Sequence, residues 1–318
     1  MHLWAIGLAA VTAAACGVVL NDQPRAASTR KPASLSELWV EPDDIGSRNL
    51  LIGSAGPNTA PSNNIEYTVL KFDPRGSSKG FDVVAPDGRK WDIKIGKEAQ
   101  TEIVLSRVLW ALGYYQPATY FMDGWQLKGD WDLEGRAARF RLQSDHTVEG
   151  DWNWTDNPFE SARAFGGLIA INMLFNNWDL KNNNNRVYEL KGPDGTRIRR
   201  YVVQDLGASL GTFLTFPYGV GTRNEVADFE STPLIRKREG SRVELTYRGR
   251  HGDVIRQLTV ADVIWACELM NELSDAQLDD AFKAAKYDDG VRERFIKKIR
   301  EKIREGLELR SFAAVLED

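Results

Sequence analysis

Asn177-Trp178-Asp179-Leu180-Lys181-Asn182-Asn183-Asn184 and, twenty-one residues past Asn184, Asp205-Leu206-Gly207 are the two stretches whose reading decides this sequence. The first stands at the end of an apolar helical segment, 158–177, with Phe165, Leu168, Ile169, Ile171, Met173, Leu174 and Phe175. The second is delivered by the strand-like Tyr201-Val202-Val203-Gln204. An Asp followed five residues later by an Asn lets one loop present a proton acceptor and an oxygen ligand together. Phosphoryl transfer needs just such parts: a lysine on the phosphates, a cation held by an acid and an amide, and a carboxylate facing the acceptor hydroxyl. Taken singly, each motif is also what a plain turn looks like, because Asn and Asp favour helix ends. Their weight lies in their joint order.

Upstream of the loop the pattern is that of strands. Residues 67–72 alternate, 75–80 form a glycine-containing turn, and 81–85 resume the alternation. Asp87-Gly88 is a hairpin signal, and 90–95 follow as a third strand. Apolar residues at Ile103, Val104, Val108, Leu109 and Leu112 predict a helix over 97–112, ended by Gly113. Residues 118–122 and 139–142 predict two more strands. Downstream of Asp205 the chain reads as irregular to about 241, then as a short hairpin at 243–247. Three helices close it, at 259–273, after Ser274, and at 289–309.

The loop and the triplet, in that order behind a strand-rich region, resemble the catalytic loop and metal-binding triplet of the protein-kinase-like superfamily. Leu206 stands where Phe is usual, and Trp178 replaces an arginine. The Asn-Trp-Asp start looks most like the atypical HipA-type and CotH-type secretory kinases. The resemblance implies an α+β, two-lobed fold, with an antiparallel-sheet N-lobe carrying one helix and a mainly helical C-lobe. It implies ATP and Mg2+ as cofactors and a hydroxyl on a protein or small molecule as acceptor. Carried over by position, Asp179 is the catalytic base and Lys181 steadies the transferring phosphate. Asn184 and Asp205 bind the metal, with Asn185 as rival to Asn184. Lys94 contacts the α/β-phosphates and pairs with Glu102, or alternatively Glu98. The turn containing Gly76, Ser77, Ser78 and Gly80 covers the phosphates. A non-catalytic pseudokinase is the alternative in the same fold.

The rest of the sequence bounds this reading. Its 318 residues suffice for two lobes, and a formal net charge of −4 gives no electrostatic case for nucleic acid. The basic run from Lys297 to Arg304 alternates with Glu301 and Glu305 and reads as a solvated helix face. Residues 3–20 are almost unbrokenly apolar, which predicts an export signal or membrane anchor over 1–20 and a linker over 21–44. Ala13-Ala14-Ala15-Cys16-Gly17 resembles a lipobox, so Cys16 would tether a periplasmic lipoprotein. The N-lobe then occupies 45–150 and the C-lobe 151–318. Cys267, in an apolar helical stretch, reads as a core residue, and three scattered histidines argue for no metal cluster. Trp125, Trp131, Trp152 and Trp154 among Asp and Gly read as interlobe core, or else as a sugar-stacking surface of a carbohydrate-binding lipoprotein.

Overall fold

The computed structural model describes residues 18–20, 34–74, 78–132, 136–143, 147–213, 221–239, 242–249 and 252–314. Gly76, Ser77, Cys16 and the three histidines lie outside them. The described strands and helices are, in chain order, β1 (Val18–Val19), β2 (Glu66–Asp73), β3 (Gly80–Val84), β4 (Lys90–Ile95), α1 (Glu98–Ala111), β5 (Thr119–Met122), β6 (Gln126–Leu127), β7 (Ala138–Gln143) and β8 (Thr147–Gly150). There follow α2 (Arg163–Leu174), β9 (Asn185–Lys191), β10 (Arg197–Val203), α3 (Val226–Glu230), β11 (Ile235–Glu239), β12 (Arg242–Leu245), α4 (Gly252–Ile255), α5 (Val260–Asn271), α6 (Asp275–Ala284), α7 (Asp289–Leu307) and α8 (Leu309–Ala314).

The first large sheet runs β5-β7-β4-β3-β2-β6, antiparallel except for the short β2–β6 pair. Strand alternation gives it two unlike faces. Tyr67, Phe81, Val83, Trp91, Ile93, Tyr120 and Phe140 form one apolar cluster, closed by Trp125. Asp92, Lys94, Arg139 and Arg141 occupy alternate positions on β4 and β7 and line a cleft. Helix α1, buried along almost its whole length, joins this sheet to a second, larger core built on α2, α5, α6 and α7. This is the two-lobed α+β arrangement the sequence predicts.

Helix α2 is buried on every side, which suits its mean composition of apolar residues and two glycines. Gly167 permits close packing on α5, where a Cβ would sit 2.1 Å from the Trp265 ring. The helix begins five residues later than predicted, because Asn157 and Glu160 build a turn: the Glu160 carboxylate accepts from the Asn157 N–H at 2.9 Å. It ends at Leu174, and Asn176, two residues on, adopts φ 55°.

Two other expectations change. The predicted irregular region holds α3 and β11, and a three-stranded sheet β10-β9-β8 precedes Asp205. The basic run of α7 is not a purely solvated face. Lys302 is fully buried, donating to the Leu174 carbonyl at 3.1 Å and to Asn176 Oδ1 at 2.5 Å, with its ammonium nitrogen 4.4 Å from the Phe229 ring centre. At the end of the 1–20 segment, Val18–Val19 pair with β12 and Leu20 is packed in the larger core. Among the described residues no helix is long and apolar enough to cross a membrane. Trp125 is buried in the sheet cluster and Trp152 and Trp154 in the larger core, whereas Trp131 is only partly buried against the sheet cluster; Cys267 is buried.

Candidate active site

A cleft of about 450 Å3 opens between the charged face of the first sheet and the loop after α2. Ser78, Gly80, Lys94, Asn184 and Asp205 all line it. Lys94 points from β4 toward the start of α1 and the end of β10. Its ammonium bonds Glu98 Oε2 at 2.7 Å and also the Asp205 carboxylate. Glu98 therefore takes the place predicted for Glu102. Two turns of geometry explain it: α1 begins three residues after β4 ends, so its first residue is the one opposite Lys94.

Glu102, one turn on, meets arginines instead. Its Oε1 accepts from Arg141 at 2.7 Å and lies 3.1 Å from Arg139. Arg139 also bonds Asp92 at 2.6 Å, and Arg141 donates to Gln204 Oε1 at 2.8 Å. Burial pushes the Asp92 carboxyl up, yet the charges of Arg139 and Arg141 outweigh it and leave the pKa below the ordinary value. Asp205 shows the same balance: desolvation raises it, and the charge and hydrogen bond of Lys94, helped by Arg141 and Arg139, bring it down. Its carboxylate is thereby held ionised.

Asp205 carries φ 56°, in the left-handed region that non-glycine residues rarely enter. The sharp turn of the triplet is thus made at Asp205 rather than at Gly207. The glycine serves a different need, since a Cβ there would lie 2.4 Å from Glu98 Cβ. The Gly207 carbonyl accepts from Thr101 Oγ1 at 2.8 Å, fastening the triplet to α1.

On the other wall, the loop after α2 is laced by amides. Asn177 Nδ2 donates to Asn172 Oδ1 at 2.8 Å, and Asn177 Oδ1 accepts from the Asp179 N–H at 3.2 Å. Asn184 Nδ2 donates to the Asp179 carbonyl at 3.1 Å, which turns its amide nitrogen into the loop. Asn185 is fully buried, and its Nδ2 bonds the Trp152 carbonyl at 3.2 Å. Of the two neighbours, Asn184 is the one at the cleft. Lys181 Nζ pairs with Asp179 Oδ2 at 2.6 Å. Asp179 and Lys181 are not part of the cleft lining itself; the Asn184 amide ties Asp179 to it. The Gln204 N–H donates to the Asn184 carbonyl at 2.9 Å, joining the two motifs directly.

Arg223 is a participant the sequence reading did not single out. It ion-pairs with Glu98 and lies over the Trp178 ring at 5.2 Å, so Glu98 bridges Lys94 and Arg223. No short motif marks it. Asp92, Arg139 and Arg141 were legible in principle, from their period-two alternation with apolar neighbours.

Hard divalent cations take oxygen ligands, and an anion with a carboxamide beside it is a fitting start for such a site. Asp205 keeps a second carboxylate oxygen beyond the one on Lys94, and Asn184 keeps its Oδ1. Among the described residues no group of three or more His, Cys, Asp or Glu side chains gathers as a metal cage. A magnesium ion here would complete its shell with phosphate and water, the usual habit of that ion.

No protein-family model matches the chain, and no curated protein matches it. Among solved structures it is similar to the Helicobacter pylori proinflammatory kinase CtkA, at 11% identity and a TM-score of 0.48. That match covers 77% of this chain and 97% of the other. It is also similar to the Rio2 kinase–ADP/Mg2+–phosphoaspartate complex from Chaetomium thermophilum, at 14% identity and a TM-score of 0.35, over 76% and 73% of the two chains. At these scores neither kinase lends this chain an activity.

Proposed function

We propose that the chain is an ATP- and magnesium-dependent phosphotransferase acting on a hydroxyl of a protein or small-molecule acceptor. The observation that carries this reading is the convergence of Lys94 on Glu98 and Asp205, from three separate segments, in the cleft that Asn184 also lines. Lys94, pinned by Glu98, presents a fixed positive charge to phosphate oxygens. Asp205 and Asn184 would hold the magnesium. Its chemistry there is to offset negative charge on the phosphates. Asp179 accepts the proton of the attacking hydroxyl, and Lys181, already bonded to it, follows the charge of the transferring group. Ser78 and Gly80 close the cleft over the phosphates.

The test is a thermal-shift series with ATP, magnesium or both, beside a radiolabel transfer assay. Stabilisation that needs both ligands is expected, abolished in Asp205→Ala. Asp179→Ala should keep the shift and lose transfer. An absence of any ATP-dependent shift would remove the reading.

A sugar-stacking function has little surface left, because the indoles of Trp125, Trp152 and Trp154 are inside the protein and Trp131, partly buried, packs against Phe72 and Phe81. Export, with tethering through Cys16, remains part of the proposal on the strength of the apolar 3–20 run; the mass of the mature chain checks it.

A further inference from the structure

A second concavity, of about 440 Å3, lies behind the α1–β5 connection. Among the described residues, two arginines line it, Arg48 and Arg200, and no Asp or Glu does. Among the described residues neither guanidinium has a carboxylate partner, in a chain whose formal charge is −4. Each is instead laid against an aromatic ring: Arg48 at 5.1 Å from the centre of Trp110, and Arg200 at 4.2 Å from that of Tyr115. The Arg200 Nε is buried and has no hydrogen-bond partner among the described residues. Its neighbour Arg199, on the other face of β10, pairs ordinarily with Glu37 at 3.3 Å.

A buried donor left unpaired is costly, and two like charges lining one hollow repel. Both costs fall when an anion enters. Guanidinium is the side chain best shaped to take phosphate or carboxylate oxygens in pairs. The aromatic rings stacked on the arginines fix those forks and add a flat apolar wall, continued by Leu142 and Pro117.

We propose that this rear pocket is a binding site for a small organic anion, a phosphate or carboxylate head on a planar aromatic body. It is separate from the front cleft and does not depend on the phosphotransferase reading. Its position gives it contact with the front. Gln116, in its lining, donates to the Val203 carbonyl at 3.1 Å, two residues before Asp205.

Isothermal titration of the full chain with phenyl phosphate and with benzoate tests the site and distinguishes the two heads. Saturable binding of at least one is expected, and Arg48→Gln and Arg200→Gln should each weaken it tenfold or more. Lys94→Ala, in the front cleft, should leave that affinity unchanged. Phenol, uncharged but of the same body, measured on the unmutated chain should bind at least tenfold more weakly. The proposal is overturned if neither anion binds at millimolar concentration. It is equally overturned if phenol binds as well as they do, or if Lys94→Ala rather than the arginine variants removes binding.

Discussion

The two walls of the front cleft are built by opposite means. The sheet wall is held by charge: Glu98 between Lys94 and Arg223, and Glu102 between Arg139 and Arg141. The loop wall is held mostly by neutral amides and backbone, with Asn177 on Asn172, Asn184 on the Asp179 carbonyl, and Asn176 Nδ2 on the Gly211 carbonyl at 2.7 Å. Ion pairs can exchange partners at modest cost, so Lys94 can pass from a carboxylate to a phosphate without rebuilding the wall. Amide bonds are directional and fix a geometry instead. On the proposed reading, the wall that would meet a changing charge is electrostatic, and the wall that would position the acceptor end is rigid.

The largest effect should come from breaking the charged wall at its most buried point. The Glu102 and Arg139 side chains are each only 3% exposed, so Glu102→Gln would leave two guanidiniums with Asp92 as their remaining carboxylate. Removing one partner of such a network costs about 3–5 kcal/mol, mainly as uncompensated buried charge. Urea unfolding should show that loss in the midpoint with the slope unchanged. A cost under about 1 kcal/mol would mean that this wall is not held by its charges.

The rigid wall also has a buried charged support, and it sharpens the contrast. Lys302→Met removes the donor to Leu174 and Asn176 and should cost about 1–3 kcal/mol at neutral pH, the usual penalty for stranded buried acceptors. Burial, reinforced by Lys298, holds the Lys302 ammonium pKa well below its ordinary value, against the smaller opposing pull of Glu305. In the window between the folded pKa and about 10.5 the unfolded chain binds the extra proton, so native stability rises with pH. The variant lacks that gain. Its deficit should therefore grow as pH is raised toward 10, by at most about 1.4 kcal/mol per pH unit, and shrink on acidification. A deficit flat with pH would show that Lys302 sits in the core with an ordinary pKa.

These two walls were unequally legible. Strands β2, β3, β4, β5 and β7 and helix α1 followed from period-two and period-3.6 patterns, while Lys94, Asp179 and Asp205 were singled out by the family resemblance. Glu98 against Glu102 was open, because both occupy the first turns of one helix and only the tightness of the β4–α1 connection selects between them. Asn184 against Asn185 was hidden in a run of four identical residues, where one lies on the cleft and the next is the first residue of β9. Lys302 was misread because a charge at helical spacing looks solvated, and only the packing of α7 under Asn176 shows otherwise. Gly207 looks like a turn glycine, but its need is room: a Cβ there would meet Glu98, while Asp205, two residues earlier, takes the left-handed backbone.

The asparagine pair gives the smallest and most discriminating test. Asn185→Ala strands the Trp152 carbonyl and should cost roughly 1 kcal/mol of stability, the net worth of one buried hydrogen bond. Its effect on the magnesium-dependent ATP shift should be nil, because the side chain is fully buried away from the cleft. Asn184→Ala should behave the other way, with a smaller stability change and loss of the magnesium-dependent part of the shift. Asn184→Asp sharpens it further: a carboxylate keeps the oxygen ligand while losing the donor to the Asp179 carbonyl. Retained magnesium dependence with slowed transfer would then place Asn184 in both walls' work, as ligand through Oδ1 and as brace of the Asp179 loop through Nδ2. The reverse pattern, with Asn185 controlling the shift, would move the cation away from the cleft and undo the contrast between the walls.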